Sequence, residues 1–165
     1  MLGWTEMDVH FQPPGGQKVY SGYYPLMPET VASHFDGAGR PNGWSYKQSF
    51  FALYLMMMGI MSLVFFGLPR LLRHFSPSLI NIPNRKYWLT PERKQEALAM
   101  LDEEMGWFGI ATMVLMASTI QLAIDANVTG GGSLRSGAMW MLFGGFAAFT
   151  GIWLVKLYRR FRIPS

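Results

Sequence analysis

Apolar residues in this chain gather in three blocks, and polar residues gather between them. The blocks run from Ser49 to Leu68 ("SFFALYLMMMGIMSLVFFGL"), from Trp107 to Ile124 and from Gly137 to Val155. A helix needs about 20 residues to cross a hydrocarbon core of about 30 Å, and each block is close to that length. The pattern predicts an all-α integral membrane protein with three transmembrane helices and an extracytoplasmic N-terminal loop segment. Nothing comparable occurs between Met1 and Trp44, where the most apolar piece, "YYPLM", is short and broken by Pro25. A basic stretch followed by an apolar one, the mark of a signal peptide, is absent from the N-terminus. The expected organisation is an N-terminal segment over residues 1–45, a three-helix domain over 46–160 with a connector at 70–105, and a short tail over 161–165.

The connectors carry turn and cap signals. Residues 34–47 read "HFDGAGRPNGWSYK", in which Asp36-Gly37, Gly39 and Asn42-Gly43 each predict a tight turn, because glycine reaches backbone angles closed to other residues. These turns predict a compact loop ahead of the first span. In the long connector, Thr90-Pro91-Glu92 predicts a helix start: a hydroxyl to cap free amides, a proline at the first helical position and an early carboxylate. That helix runs along the membrane surface or straight into the second span. Upstream, "NIPNRKYW" reads as an interfacial loop, with Tyr87 and Trp88 at headgroup level and Arg85 and Lys86 meeting lipid phosphates.

Composition sharpens the class. The chain is 50% hydrophobic and only 15% charged, which leans toward membrane proteins. The net charge of +4 does not mark a nucleic-acid surface, since the cations are split among the flanks of the spans. Six Lys and Arg residues lie in the connector and four in the tail from Lys156, against Lys18, Arg40, Lys47 and Arg135 elsewhere. The excess places connector and C-terminus in the cytoplasm and the N-terminus and the "NVTGGGSLRS" loop outside. Cysteine is absent, which removes disulfides, thiol nucleophiles and Cys-based zinc sites together.

Candidate chemistry is sparse. His34, Asp36, Arg40, Asn42, Trp44 and Lys47 form the candidate partner or ligand loop, with Arg40 and Lys47 positioned for lipid headgroups or an acidic partner. His34 and Asp36, even with His10, do not supply the geometry of a zinc site, and Met56, Met57, Met58 and Met61 point in different directions on a helix, so they serve packing better than copper. No metal or other cofactor is expected. Ser118, Gln121 and Asp125 share one face of the second span, a polar stripe suited to contact between helices. Gly144, Ala148 and Gly151 form a small-residue seam on the third span, open to a neighbour from this chain or another, while Phe143 and Phe146 lie off that stripe, toward lipid. A nucleophile with its base, a phosphate-cradling loop and paired buried carboxylates are not evident, so an enzyme is the least supported class.

The segments "LMPETVASHFDGAGRPNGWSYK" and "NIPNRKYWLTPERK", each followed by apolar spans, resemble bacterial membrane proteins carrying the domain of unknown function 1648, related to immunity proteins against the sporulation-delaying toxin. The resemblance covers about Pro25 to Arg162. It implies a bacterial inner-membrane location and an immunity or sensing role, and it carries no catalytic residues. Members of that family usually have a further hydrophobic helix just before the proline-glutamate motif, whereas Met1 to Tyr24 is polar here. Together these features predict a non-enzymatic protein acting through contact with other membrane proteins. An accessory or structural subunit of a larger membrane complex ranks first, and recognition of a peptide or envelope ligand by the 34–47 loop second.

Overall fold

The computed structural model describes residues 22–72, 80–129 and 132–163. Three helical rods in it are long and apolar enough to cross a membrane: Lys47–Leu71, Lys94–Val128 and Ser136–Arg160. Each expected span lies inside one rod. The first rod is composite, made of α1 (Lys47–Ser62), a π-helical turn (Leu63–Gly67) and α2 (Leu68–Leu72). A short helix α3 (Arg85–Trp88) precedes α4 (Lys94–Val128) and α5 (Ser136–Arg160).

The π turn has a cause one turn further on. Pro69 has no N–H to offer, and in a regular helix its ring would press on the carbonyl of Phe65. The wider turn, in which the Leu68 N–H reaches back to the Leu63 carbonyl, absorbs the mismatch.

The α4 rod is the centre of the bundle, with the first rod and α5 packed on it. On the first-rod side α4 presents Gly109, where a Cβ would stand only 2.6 Å from the Phe65 Cβ, so the missing side chain permits the close approach. On the other side Phe108 meets Trp153 and Phe146, with ring centroids 4.6 and 5.7 Å away. Phe146 therefore faces α4 rather than lipid, contrary to the expectation from its sequence position.

Ahead of the first rod the chain is not all-helical. Residues Thr30–Phe35 (β1) and Pro41–Tyr46 (β2) form an antiparallel hairpin, entered through a 3-10 turn at Tyr24–Leu26. The expected compact loop is thus mostly strand. Its turn is built at Asp36, whose carboxylate accepts from the backbone N–H groups of Ala38 and Arg40 at 2.9 and 2.8 Å. Gly39 sits at φ +80° in that turn, but Asn42-Gly43, read as a second turn, lies within β2, where His34 packs over Gly43. Turn-forming residues tolerate tight backbone angles without requiring them, and pairing with β1 supplies the hydrogen bonds a turn would have replaced.

At the opposite end, α4 begins at Lys94, later than the Thr90 start predicted from sequence. Thr90 contributes its backbone carbonyl, which accepts from the N–H groups of Arg93 and Lys94, rather than a hydroxyl cap. The helix then runs unbroken into the second span, settling the choice between a surface helix and a continuous one. Trp88 is buried rather than at a lipid-facing headgroup level: it joins Ile80, Ile82, Ala97, Leu98 and Phe161 in a small core between connector and tail.

Candidate functional site

The hairpin is fastened to the bundle through its backbone. Both main-chain groups of Ala32 turn to the Asn127 amide near the end of α4: the Ala32 N–H donates to Oδ1 at 2.8 Å and Nδ2 donates to the Ala32 carbonyl at 3.0 Å. One side chain thereby takes the place of a neighbouring strand, which a buried β-edge requires. Gly39 completes the attachment, its carbonyl accepting from the Leu134 N–H at 2.8 Å. A Cβ at Gly39 would collide with the Leu134 carbonyl, so glycine is demanded there by both backbone angle and space. Trp140 at the start of α5 donates its indole N–H to the Gly37 carbonyl at 3.1 Å.

Against this frame the six loop residues separate. Asp36 is occupied in the turn, and Lys47 is occupied by Glu29 at 2.7 Å with its ammonium 4.9 Å from the Tyr24 ring centroid. The expectation that Lys47 meets headgroups or an acidic partner is corrected by that pairing: its side chain is only 12% exposed. His34, Arg40, Asn42 and Trp44 are exposed, and Trp44 shares the outward set of β2 positions with Tyr46, at 61% and 71% exposure. Under β1 lies a cleft of about 310 Å³ between α1 and α5, lined among others by His34, Phe50, Tyr54, Ile120, Met139 and Phe143.

The polar stripe is connected in part. The Gln121 amide donates to Asp125 at 2.8 Å, and Asp125 pairs with Arg135 at 3.1 Å, tying the end of α4 to the residue before α5. Ser118 instead lines a groove between α4 and α5 together with Gln121. The seam residues Gly144, Ala148 and Gly151 are exposed, and a Cβ at either glycine would meet nothing within 4 Å. No described part of this chain packs on them. Among the described residues, no group of three or more His, Asp or Glu is placed to hold a metal ion, and His10 lies outside them.

Two structural contacts escaped the sequence reading. Asn127 is one; the other is Glu104, whose side chain is 0% exposed. Glu104 Oε1 accepts from Arg160 at 2.6 Å and pairs with Lys156 at 3.2 Å, while Arg160 also pairs with Glu103 and Trp153 donates to the Glu104 carbonyl at 3.1 Å. A signal was present: Glu104 stands as far before the end of α4 at Val128 as Arg160 stands after the start of α5 at Ser136, so antiparallel packing brings them to one level. No comparable signal marks Asn127, because its partner is backbone.

Residues 19–58 match the family model described as Domain of unknown function (DUF1648). That segment includes the hairpin and the first part of α1, which supports the resemblance for this portion of the chain. Neither a curated protein nor a solved structure matches the chain.

Proposed function

We propose that this protein works without catalysis, as an accessory or structural subunit of a larger complex in a bacterial inner membrane, with α5 as its docking helix. The observation that carries this reading is the division of α5 into two faces. Phe146, Phe149 and Trp153 are spent on Phe108 of α4, while Gly144, Ala148 and Gly151 remain uncovered. Small residues let a second helix approach closely, and inside lipid the gain is direct packing rather than water release. A Cβ at Gly144 or Gly151 meets nothing within 4 Å among the described residues, so leucine there is expected to block a partner while sparing the fold. Purification in mild detergent should return a stoichiometric assembly for the parent and a lone, equally stable chain for Gly144→Leu with Gly151→Leu. A parent that purifies alone overturns the subunit reading.

The hairpin and α4–α5 loop share one end of the bundle, and the connector and tail share the other. The Lys and Arg excess supports assigning the second end to the cytoplasm. Because the chain has no cysteine, single cysteines at Ser133 and Gln95 test this directly: an impermeant thiol reagent should label Ser133→Cys in intact cells and Gln95→Cys only after lysis.

A second reading is favoured by the hairpin itself. Its frame is fixed by Asn127 and Trp140, it turns Trp44 and Tyr46 outward, and a cleft lies beneath it. Recognition of a peptide or envelope ligand there, in an immunity or sensing role, predicts that a photo-crosslinker at Trp44 captures that ligand while one at Met141 does not.

A further inference from the structure

The attached edge of the hairpin fixes the chemistry of its free edge. At Ala32 both backbone groups point to Asn127 on α4, so neither is spent on the residue opposite it in β2. That residue is Trp44. Opposite residues of an antiparallel pair either exchange both bonds or turn both away, so the Trp44 N–H and C=O project from the outer edge of β2. A second contact gives the same phase: the Lys47 N–H donates across the ladder to the Glu29 carbonyl at 2.9 Å. Tyr46, one residue earlier and opposite Thr30, therefore turns its N–H outward as well. Among the described residues, no contact from outside the hairpin reaches these three groups.

Strand edges left open in this way invite another strand, and proteins blunt them with proline, charge, bulges or a covering element. Here Pro41 and the slipped pairing between Ala32 and Phe35 blunt only the turn end. Trp44, Ser45 and Tyr46 carry neither proline nor charge. Trp44 and Tyr46 are two positions apart, so their exposed rings share one face beside the open edge.

We infer that β2 accepts a third strand: an extended peptide segment of another molecule, with apolar side chains at alternate positions lying over Trp44 and Tyr46. Backbone bonds along such an edge give affinity, and the alternate side chains give specificity. The inference rests on the reading of the hairpin as a recognition surface and names how that surface binds. Register selects a peptide over a second copy of the hairpin. Paired with itself about Trp44, β2 would set Tyr46 against Asn42, which has no counterpart in β1 because the ladder slips there. Only the two Trp44 groups are then served, whereas a separate peptide engages all three.

Tyr46 supplies the discriminating substitution. Its φ of −64° is the angle that proline fixes, and Ser45 before it lies in a strand, so Tyr46→Pro deletes the outward N–H without straining the backbone. Tyr46→Ala removes the same ring and keeps the N–H. The full chain in detergent is titrated with peptides of about seven residues, one set with apolar residues at alternate positions and one with the same residues clustered. The parent should prefer the alternating set. Tyr46→Pro should bind it about fivefold more weakly than Tyr46→Ala, the worth of one hydrogen bond, and Trp44→Lys should abolish the preference. Single N-methyl groups along a bound peptide should weaken binding at every second amide and spare those between. Equal protection of the Ala32 amide from hydrogen exchange in parent and variants separates a lost edge from a lost fold. Equal binding of the two sets, or an N-methyl scan without the period of two, overturns strand addition. If a photo-crosslinker at Trp44 still captures a peptide in that case, recognition at the hairpin survives by another mode. A parent dimer that Tyr46→Pro disperses and Tyr46→Ala does not, with no peptide bound, overturns the peptide in favour of a second copy.

Discussion

The two ends of the bundle are closed by opposite means. At the hairpin end the fastening is neutral and runs through backbone: Asn127 to Ala32, Trp140 to Gly37 and Leu134 to Gly39. At the connector end it runs through charge and rings: Glu104 with Lys156 and Arg160, and Trp88 against Phe161. The difference follows from what each end must hold. A strand edge presents N–H and C=O groups that only hydrogen-bonding partners can satisfy, whereas the helix ends are joined mainly through side chains, by packing, ion pairs and a few donors to the Phe161 and Glu104 carbonyls. The hairpin end is therefore expected to be local in its failure. The charged end couples α4, α5 and the tail, so its failure spreads.

Glu104→Ala should cost the most. It leaves Lys156 and Arg160 without their shared buried partner, and removing one member of a buried pair costs several kcal/mol. Because both cations keep some contact with solvent, about 2–3 kcal/mol is expected, read as a lower unfolding midpoint with loss of protection along both α4 and α5. A loss confined to the tail would show that the two helices are held without the ion pair.

Asn127→Ala should cost about 1–3 kcal/mol, the penalty for unpaired buried backbone groups at Ala32. Hydrogen exchange should rise across β1 and β2 and stay unchanged in α3 and the tail. Equal loosening at both ends would erase the distinction between them.

Trp88→Phe keeps an aromatic side chain but replaces the buried indole by a smaller ring and removes its bond to the Phe161 carbonyl, which Asn84 still serves. The lost hydrogen bond alone should cost about 0.5–1.5 kcal/mol. Thermal melting of this variant beside Asn84→Ala and the double change would show whether the two donors act together; strict additivity would mean they do not.

The smallest effect concerns Glu92, in the turn before α4, whose carboxyl is held below its ordinary range chiefly by its own backbone N–H. A carboxyl lowered on folding adds stability above its unfolded pKa of about 4.3, and that stability is lost as pH falls through the lower folded value. Below about pH 4.5 the parent should therefore shed slightly more stability than Glu92→Gln, with exchange at Arg93 and Lys94 as the readout. Identical acid profiles would remove Glu92 from the account of this end.

The three rods were legible in the sequence alone, because an apolar run long enough for a membrane is a local property that needs no partner to be recognised. Lys47–Leu71, Lys94–Val128 and Ser136–Arg160 each contain the block predicted for them. The Asp36 turn was legible for a similar reason, since its carboxylate serves amides two and four residues away. What lay beyond local chemistry was decided only by tertiary contact. Pairing with β1 made a strand of Asn42-Gly43, and Phe161 drew Trp88 inward from the interface. Among the small residues, composition pointed to Gly144 and Gly151, yet the close helix approach within the chain occurs at Gly109, because Phe65 stands opposite it. A glycine states that a neighbour is allowed, and only the packed bundle states whether one is there.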